Sequence, residues 1–97
     1  MEPTTMIRPN DGVAYQELAE GSGVLLHLET AQYHGVNPIG ALVWALLGEG
    51  TTFGVLMRSL NERVEDPPPE LDRDIEAFLE DLRVRQLVTF EGGGDDG

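Results

Sequence analysis

The sequence predicts an α+β domain in which a three-stranded antiparallel sheet is followed by three helices. Short runs of β-prone residues with alternating apolar positions occupy the first third of the chain. Apolar residues at helical spacing occupy the rest, and stretches containing Gly and Pro separate the segments. With 97 residues and 40% hydrophobic content, the chain is long enough for one domain with one modest core.

The predicted sheet follows an N-terminal arm, residues 1–12, which contains two prolines and ends in an Asn-Asp-Gly turn. Two strands, Val13–Leu18 and Val24–Glu29, are separated by five residues that suit a hairpin loop. The third strand is Gln32–Val36, although the two residues before it lack the glycine that tight hairpin turns favour. We therefore expect an antiparallel sheet with one packed face and one wetter face.

Strand three leads directly into the first helix at Asn37-Pro38. The Asn side chain can accept from a free N–H of the first turn, and proline at the first helical position has no N–H to leave unpaired. This helix ends at Gly48, and either Thr51 or Thr52 caps the second helix, which contains Gly54 near its start.

The third helix follows a proline-rich spacer and has two chemically different faces. Its apolar stripe consists of Leu71, Ile75, Phe78, Leu79 and Leu82. Its opposite face carries Asp72, Asp74, Glu76, Glu80 and Asp81. Residues 87–90 form an extended piece and residues 91–97 a disordered tail, so the predicted domain spans residues 13–90.

The charge balance limits the classes of partner. Six arginines, no lysine and eighteen acidic residues give a formal net charge of -12, which opposes binding to nucleic acid. The acidity either serves solubility alone or presents an acidic face to a basic partner, and both interpretations remain open. The absence of cysteine, of a signal peptide and of a long apolar run predicts a cytoplasmic protein with no membrane partner.

No residue pattern for catalysis is present. Ser22 and Ser59 have no histidine placed as a base by a recognisable motif, and His27 and His34 lack further metal ligands of suitable spacing. In so acidic a protein, the carboxylates of the third helix are best explained as a solvated face. The sequence therefore predicts a protein that is not an enzyme and has no metal or cofactor.

Three kinds of binding protein remain as alternatives. Three helices beside a small sheet suggest a winged-helix-turn-helix-like shape, which a small DNA-binding transcriptional regulator would have, but the exposed face of the third helix is acidic. A second alternative is a protein–protein module whose acidic surface mimics nucleic acid. The third is a peptide-binding adaptor, because the free edge of a sheet can accept an extended peptide through main-chain hydrogen bonds.

The segment YHGVNPIGALVWALLGEGTTFGVLMRSL, Tyr33–Leu60, followed by DIEAFLEDLRVRQLV, resembles the PqqD-like family. The matching pattern is a short strand ending in hydrophobic-Asn, a helix with a late Trp, a Gly-containing turn with Thr, and a final helix with Phe-Leu and Leu-hydrophobic pairs. Gly54 departs from the pattern, since relatives commonly have a better helix former there. The resemblance covers about Val13–Val88 and is greatest to the standalone leader-binding subunit of lasso-peptide biosynthesis.

The resemblance implies a recognition element for ribosomally synthesised, post-translationally modified peptides. In that family the leader of the precursor docks as an extra antiparallel strand on strand three, against helix three. The peptide-binding residues implied here are Gln32, Tyr33, His34, Gly35, Val36, Asp74, Ile75, Phe78, Asp81 and Leu82. The implied partners are a precursor leader peptide, a leader protease of cysteine type and an ATP-dependent cyclase, and the acids of helix three favour a leader with basic residues.

Each implied site residue also has an ordinary structural interpretation. The apolar residues Ile75, Phe78 and Leu82 either hold side chains of the leader or belong to the core. The two acids of the implied site either face the peptide or are simply solvated. Tyr33 either contacts the peptide or packs beside Trp44.

Overall fold

A computed structural model describes residues 1–92, which form six strands and three helices. The first four strands are β1 (Thr5–Pro9), β2 (Val13–Glu17), β3 (Gly23–His27) and β4 (Gln32–Val36). They are followed by α1 (Pro38–Leu47), β5 (Thr51–Thr52), α2 (Phe53–Arg63), α3 (Leu71–Val84) and β6 (Val88–Gly92). The predicted α+β class, with a three-stranded antiparallel sheet before three helices, is confirmed. In residues 1–92, no helix has the length and apolar character needed to cross a bilayer.

The predicted sheet has the order β2-β3-β4, with β3 in the centre and both pairings antiparallel. Because side chains alternate along a strand, Leu25 and His27 share the face that packs on the helices, and both are buried. Leu26 lies on the opposite, partly exposed face. The β3–β4 turn closes without glycine because Ala31 adopts a left-handed conformation, with φ of 62°, and its N–H donates to the carbonyl of His27.

A second sheet, of order β5-β1-β6, corrects the prediction of an arm over residues 1–12. The β1 strand forms the centre of this sheet and pairs with β6 from Thr5↔Gly92 to Pro9↔Val88. Its residue Ile7 is fully buried. The local sequence concealed this strand because one buried apolar residue beside prolines is a weak β signal, and the partner strand lies at the other end of the chain.

The predicted tail also differs from the structure. Glu91 and Gly92 continue β6 instead of starting a tail, because they pair with β1. Residues 93–97, the remainder of the predicted tail, lie outside the described residues. The extended piece predicted at residues 87–90 corresponds to the first part of β6.

Polar side chains cap the starts of the first two helices. The Oδ1 atom of Asn37 accepts from the N–H of Gly40 at 2.8 Å, with Pro38 at the first helical position, as the sequence predicts. The α2 cap is Thr52, whose Oγ1 accepts from the N–H of Val55 at 3.2 Å. Gly54 has a packing role, since a Cβ there would lie 3.2 Å from the carbonyl oxygen of Pro3. The small residue therefore lets the N-terminal segment pack against the start of α2.

One hydrophobic core joins both sheets and all three helices. Its fully buried members include Ile7 of β1, Leu25 of β3, Val43 of α1, and Leu79 and Leu82 of α3. The helices cover only one face of the β2-β3-β4 sheet. The strand order places β4 at one edge of that sheet, where it contacts α3.

Candidate peptide-binding groove

The edge strand β4 has main-chain N–H and C=O groups that form no hydrogen bond with another strand in residues 1–92. At the two ends of the β2–β3 ladder, the N–H of Leu18 donates to the carbonyl of Ser22 and the N–H of Leu28 donates to the carbonyl of Gly12. Because hydrogen-bonded pairs alternate along an antiparallel ladder, the even-numbered residues of β3 bond to β2. The odd-numbered residues therefore bond to β4 at Gln32, His34 and Val36. By the same alternation, the N–H and C=O groups of the two residues between them, Tyr33 and Gly35, point out from the free edge.

The side chains of β4 divide between the two faces of the sheet. His34 and Val36 face α3 and α1, and Val36 is buried. Tyr33 lies on the opposite face with 75% of its surface exposed, so it does not pack into the core. Gly35 is on the same face as Tyr33 and has open space where a Cβ would be. The free edge is consequently accessible along its main chain.

An apolar cavity of about 300 Å³ opens just beyond the C-terminal end of β4. It is formed by the start of α1, the end of α2, the proline-rich segment and α3; its lining residues are Asn37, Ile39, Gly40, Val64, Pro68, Leu71, Asp74, Ile75 and Phe78. Three predicted site residues, Asp74, Ile75 and Phe78, are thus brought together in one cavity. No residue of the other edge strand, β2, lines it.

Gly40 allows α1, α3 and the end of β4 to approach one another closely. A Cβ at this position would lie 3.1 Å from both Cζ of Phe78 and Cβ of Val36. The Asn37 cap places Gly40 in the first turn of α1, directly after the strand. Sequence analysis missed Gly40, Ile39 and the other cavity residues outside α3. The Asn-Pro junction was the available signal, because it holds the first turn of α1 beside the strand it follows.

The other end of β4 faces α3 through polar contacts. The Nε2 atom of His34 lies 3.6 Å from Oδ2 of Asp81, a contact that is ionic only when the histidine is protonated. The same carboxylate accepts from Nε of Arg85 at 3.1 Å. Asp81 therefore joins β4 to α3, whereas within residues 1–92 no cation lies within ion-pairing distance of Asp74.

The remaining predicted site residues have different environments. Leu82 is fully buried and contributes to the core, and Ile75 is 97% buried, so it forms the floor of the cavity. Gln32 is exposed at the start of β4. Among residues 1–92, no group of three or more His, Asp or Glu side chains is placed to hold a metal ion.

A free strand edge beside an apolar cavity is the arrangement by which domains accept an extended peptide. Comparison with protein families then identifies the family. The model described as coenzyme PQQ synthesis protein D (PqqD) matches residues 22–88, which is more than half of the sequence. The chain belongs to the PqqD family, and the family predicted from the sequence is confirmed.

A solved structure, TbiB1 in complex with the TbiA(beta) leader peptide, is similar to this chain. The two are 30% identical with a TM-score of 0.73, and the match covers 91% of this chain and 99% of TbiB1. Comparison with curated protein sequences gives no significant match.

Proposed function

We propose that this protein binds the leader region of a ribosomally synthesised precursor peptide as an added strand on β4. The observation that carries the proposal is the free edge at Tyr33 and Gly35 beside the apolar cavity of α1 and α3. The solved complex of the similar TbiB1 with a leader peptide supports it. The protein would act as a non-catalytic adaptor, and the leader, not the modified part of the precursor, would be its ligand.

The orientation of the peptide follows from an antiparallel pairing with β4. The N-terminal side of the paired segment lies near Val36 and the cavity, and the C-terminal side leaves past Gln32. A side chain at the N-terminal side of the segment therefore enters the cavity. The downstream part of the precursor extends away from it, toward the end of α3.

Main-chain pairing alone does not account for specific binding. The N–H and C=O groups of Tyr33 and Gly35 offer up to four hydrogen bonds, which contribute about 2–6 kcal/mol in total. Association loses about 4–15 kcal/mol of rigid-body freedom, so side chains must supply the difference. Burying one large apolar side chain in the cavity contributes about 1.5–3 kcal/mol. We therefore assign sequence selectivity to the cavity.

We further propose a place in lasso-peptide biosynthesis, in the cytoplasm. The adaptor would present the precursor to a leader protease of cysteine type and to an ATP-dependent cyclase. Support comes from the resemblance of about Val13–Val88 to the PqqD-like family, which is greatest to the standalone leader-binding subunit of lasso-peptide biosynthesis. No observation favours the DNA-binding regulator, because the exposed residues of α3 include Asp72, Asp74 and Glu80.

Titration with labelled leader peptides tests the proposed function. The probes are leaders of short precursor peptides encoded beside the gene, together with the TbiA(beta) leader. We expect micromolar or tighter binding of the adjacent precursor's leader, measured by fluorescence anisotropy, and loss of binding when the same residues are scrambled. Equal affinity for the scrambled peptide, or no binding of any leader, would contradict the proposal.

The carboxylate of Asp74 at the rim of the cavity supports a preference for leaders with basic residues. For such a leader we expect Asp74→Arg to weaken binding about threefold to tenfold and to reduce its salt dependence, because an attractive charge becomes a repulsive one. The matched control is Asp72→Arg, since Asp72 is exposed on the same helix but does not line the cavity. Equal losses in both variants would show an effect of net charge alone.

A further inference from the structure

A second cavity lies at the opposite end of β4 from the apolar one. We name it the His27 cleft: an open, polar cavity of about 560 Å³ between the turn after β1, the end of β3, the end of α3 and β6. His27, Asp11, Glu29 and Arg83 supply its ionisable side chains. The proposed leader site does not use these residues, so the cleft requires its own explanation.

His27 is a buried polar side chain that lines this cleft. Only 8% of the residue is exposed. Its Nδ1 atom accepts from the N–H of Thr30 at 3.4 Å, which places the proton of the neutral ring on Nε2. Within residues 1–92, Nε2 has no hydrogen-bond partner. Every fully buried side-chain nitrogen or oxygen in these residues has a partner, so Nε2 is not fully buried. Nε2 is therefore accessible as a donor, suited to the carbonyl oxygen of a peptide.

The charge of the cleft is negative. Asp11 and Glu29 line one part of it together with His27, and in the described residues neither carboxylate has a cation within ion-pairing distance. Arg83 does not neutralise them, because its Nε donates to Glu80 at 2.8 Å and its guanidinium lies 5.8 Å from the centre of the Phe90 ring. Two carboxylates beside a histidine donor suit a basic side group on a peptide backbone.

The cleft and the end of β4 share a neighbour, because His27 pairs with Gln32 across the β3–β4 ladder. A small cavity lined by residues of β4, including Gln32 and His34, is also lined by His27. An antiparallel peptide leaves β4 at Gln32, which is the end nearest this small cavity. The residues C-terminal to its paired segment therefore leave β4 on the side of the molecule where the His27 cleft lies.

We propose that the His27 cleft is a second peptide subsite, which binds an Arg or Lys residue located C-terminal to the segment paired with β4. This inference rests on the proposed function. The basic group lies between Asp11 and Glu29, and the Nε2 proton of His27 is donated to a main-chain carbonyl beside it. The apolar cavity and the His27 cleft together then bind two points of the leader, one on each side of the paired strand.

A displayed library of random linear peptides tests the subsite without knowledge of the natural leader. Selections are run in parallel on the full-length protein, on the double variant Asp11→Asn/Glu29→Gln, and on the control Glu62→Gln/Asp72→Asn, whose exposed acids lie outside the described cavities. We expect the wild type and the control to enrich Arg or Lys on the C-terminal side of a strand-forming segment. The cleft variant is expected to enrich the same segment without the basic residue.

Affinities of one selected peptide complete the test. Replacing its Arg or Lys by Gln is expected to weaken binding to the wild type about tenfold and to leave binding to the cleft variant unchanged. An equal loss on both proteins, or the same basic preference in both selections, overturns the subsite. Failure of the proposed function is distinguishable: the selected peptides would then bind equally well to a Gly35→Pro variant, and a library that yields no binder overturns both proposals.

Discussion

Replacing Gly35 by proline is expected to weaken leader binding by at least tenfold while leaving the protein folded. The substitution removes the N–H that Gly35 directs to the free edge of β4, and the pyrrolidine ring projects where the added strand would lie. The internal ladder is unaffected, because Gln32, His34 and Val36 make the bonds to β3. Proline is tolerated on edge strands whose N–H faces solvent, so the free energy of unfolding should change little.

The matched control for this substitution is Gly35→Ala. A Cβ at this position meets no atom within 4 Å, so we expect the alanine variant to bind the leader with nearly wild-type affinity. Anisotropy titrations measure the affinities, and urea denaturation establishes that all variants are folded. Wild-type affinity in Gly35→Pro would show that the peptide does not pair with β4.

The same argument applies to the peptide. Because main-chain groups of a strand alternate in direction, N-methylation should weaken binding at every second residue of the paired segment and have little effect between them. Each effective methyl group removes one donor and obstructs the strand edge. A loss with a period of two along the leader is specific to strand addition, whereas a peptide bound as a helix would lose affinity in a different pattern.

The junction between β4 and α1 was predictable because its determinants are local. Asn37 and Pro38 act on groups within one helical turn, and their effect does not depend on distant residues. Thr52 at the start of α2 is a second example. The C-terminal bound of β4 could be predicted for the same reason, since the Asn37 cap fixes where the strand ends.

The candidate site was only partly predictable because its residues lie at the border of two helix faces. The apolar stripe of α3 includes Ile75, Phe78 and Leu82. Only Phe78 is partly exposed, whereas the other two are buried in the core. Which border residues face a groove depends on where α1 and β4 pack, and periodicity along α3 does not contain that information. The His27 cleft was unpredictable for a related reason, because its walls come from four separate segments.

Ile7→Ala is expected to lower the free energy of unfolding by about 2–5 kcal/mol. Ile7 is fully buried in β1, which is the central strand between β5 and β6. Truncation removes packed methyl groups and leaves a cavity where two sheets meet the helices. Since small domains are stable by only about 5–15 kcal/mol, this loss would be a large fraction of the total.

Arg8→Ala in the same strand is the matched control. Arg8 is exposed and its Nε lies 3.3 Å from Oε1 of Glu91, an exposed ion pair that contributes about 0–1 kcal/mol. Urea denaturation of both variants therefore separates the two interpretations of residues 1–12. A mobile arm would make the two substitutions equally mild. A central strand makes the loss depend on burial, because the side chain of Ile7 lies in the core whereas that of the adjacent Arg8 is exposed.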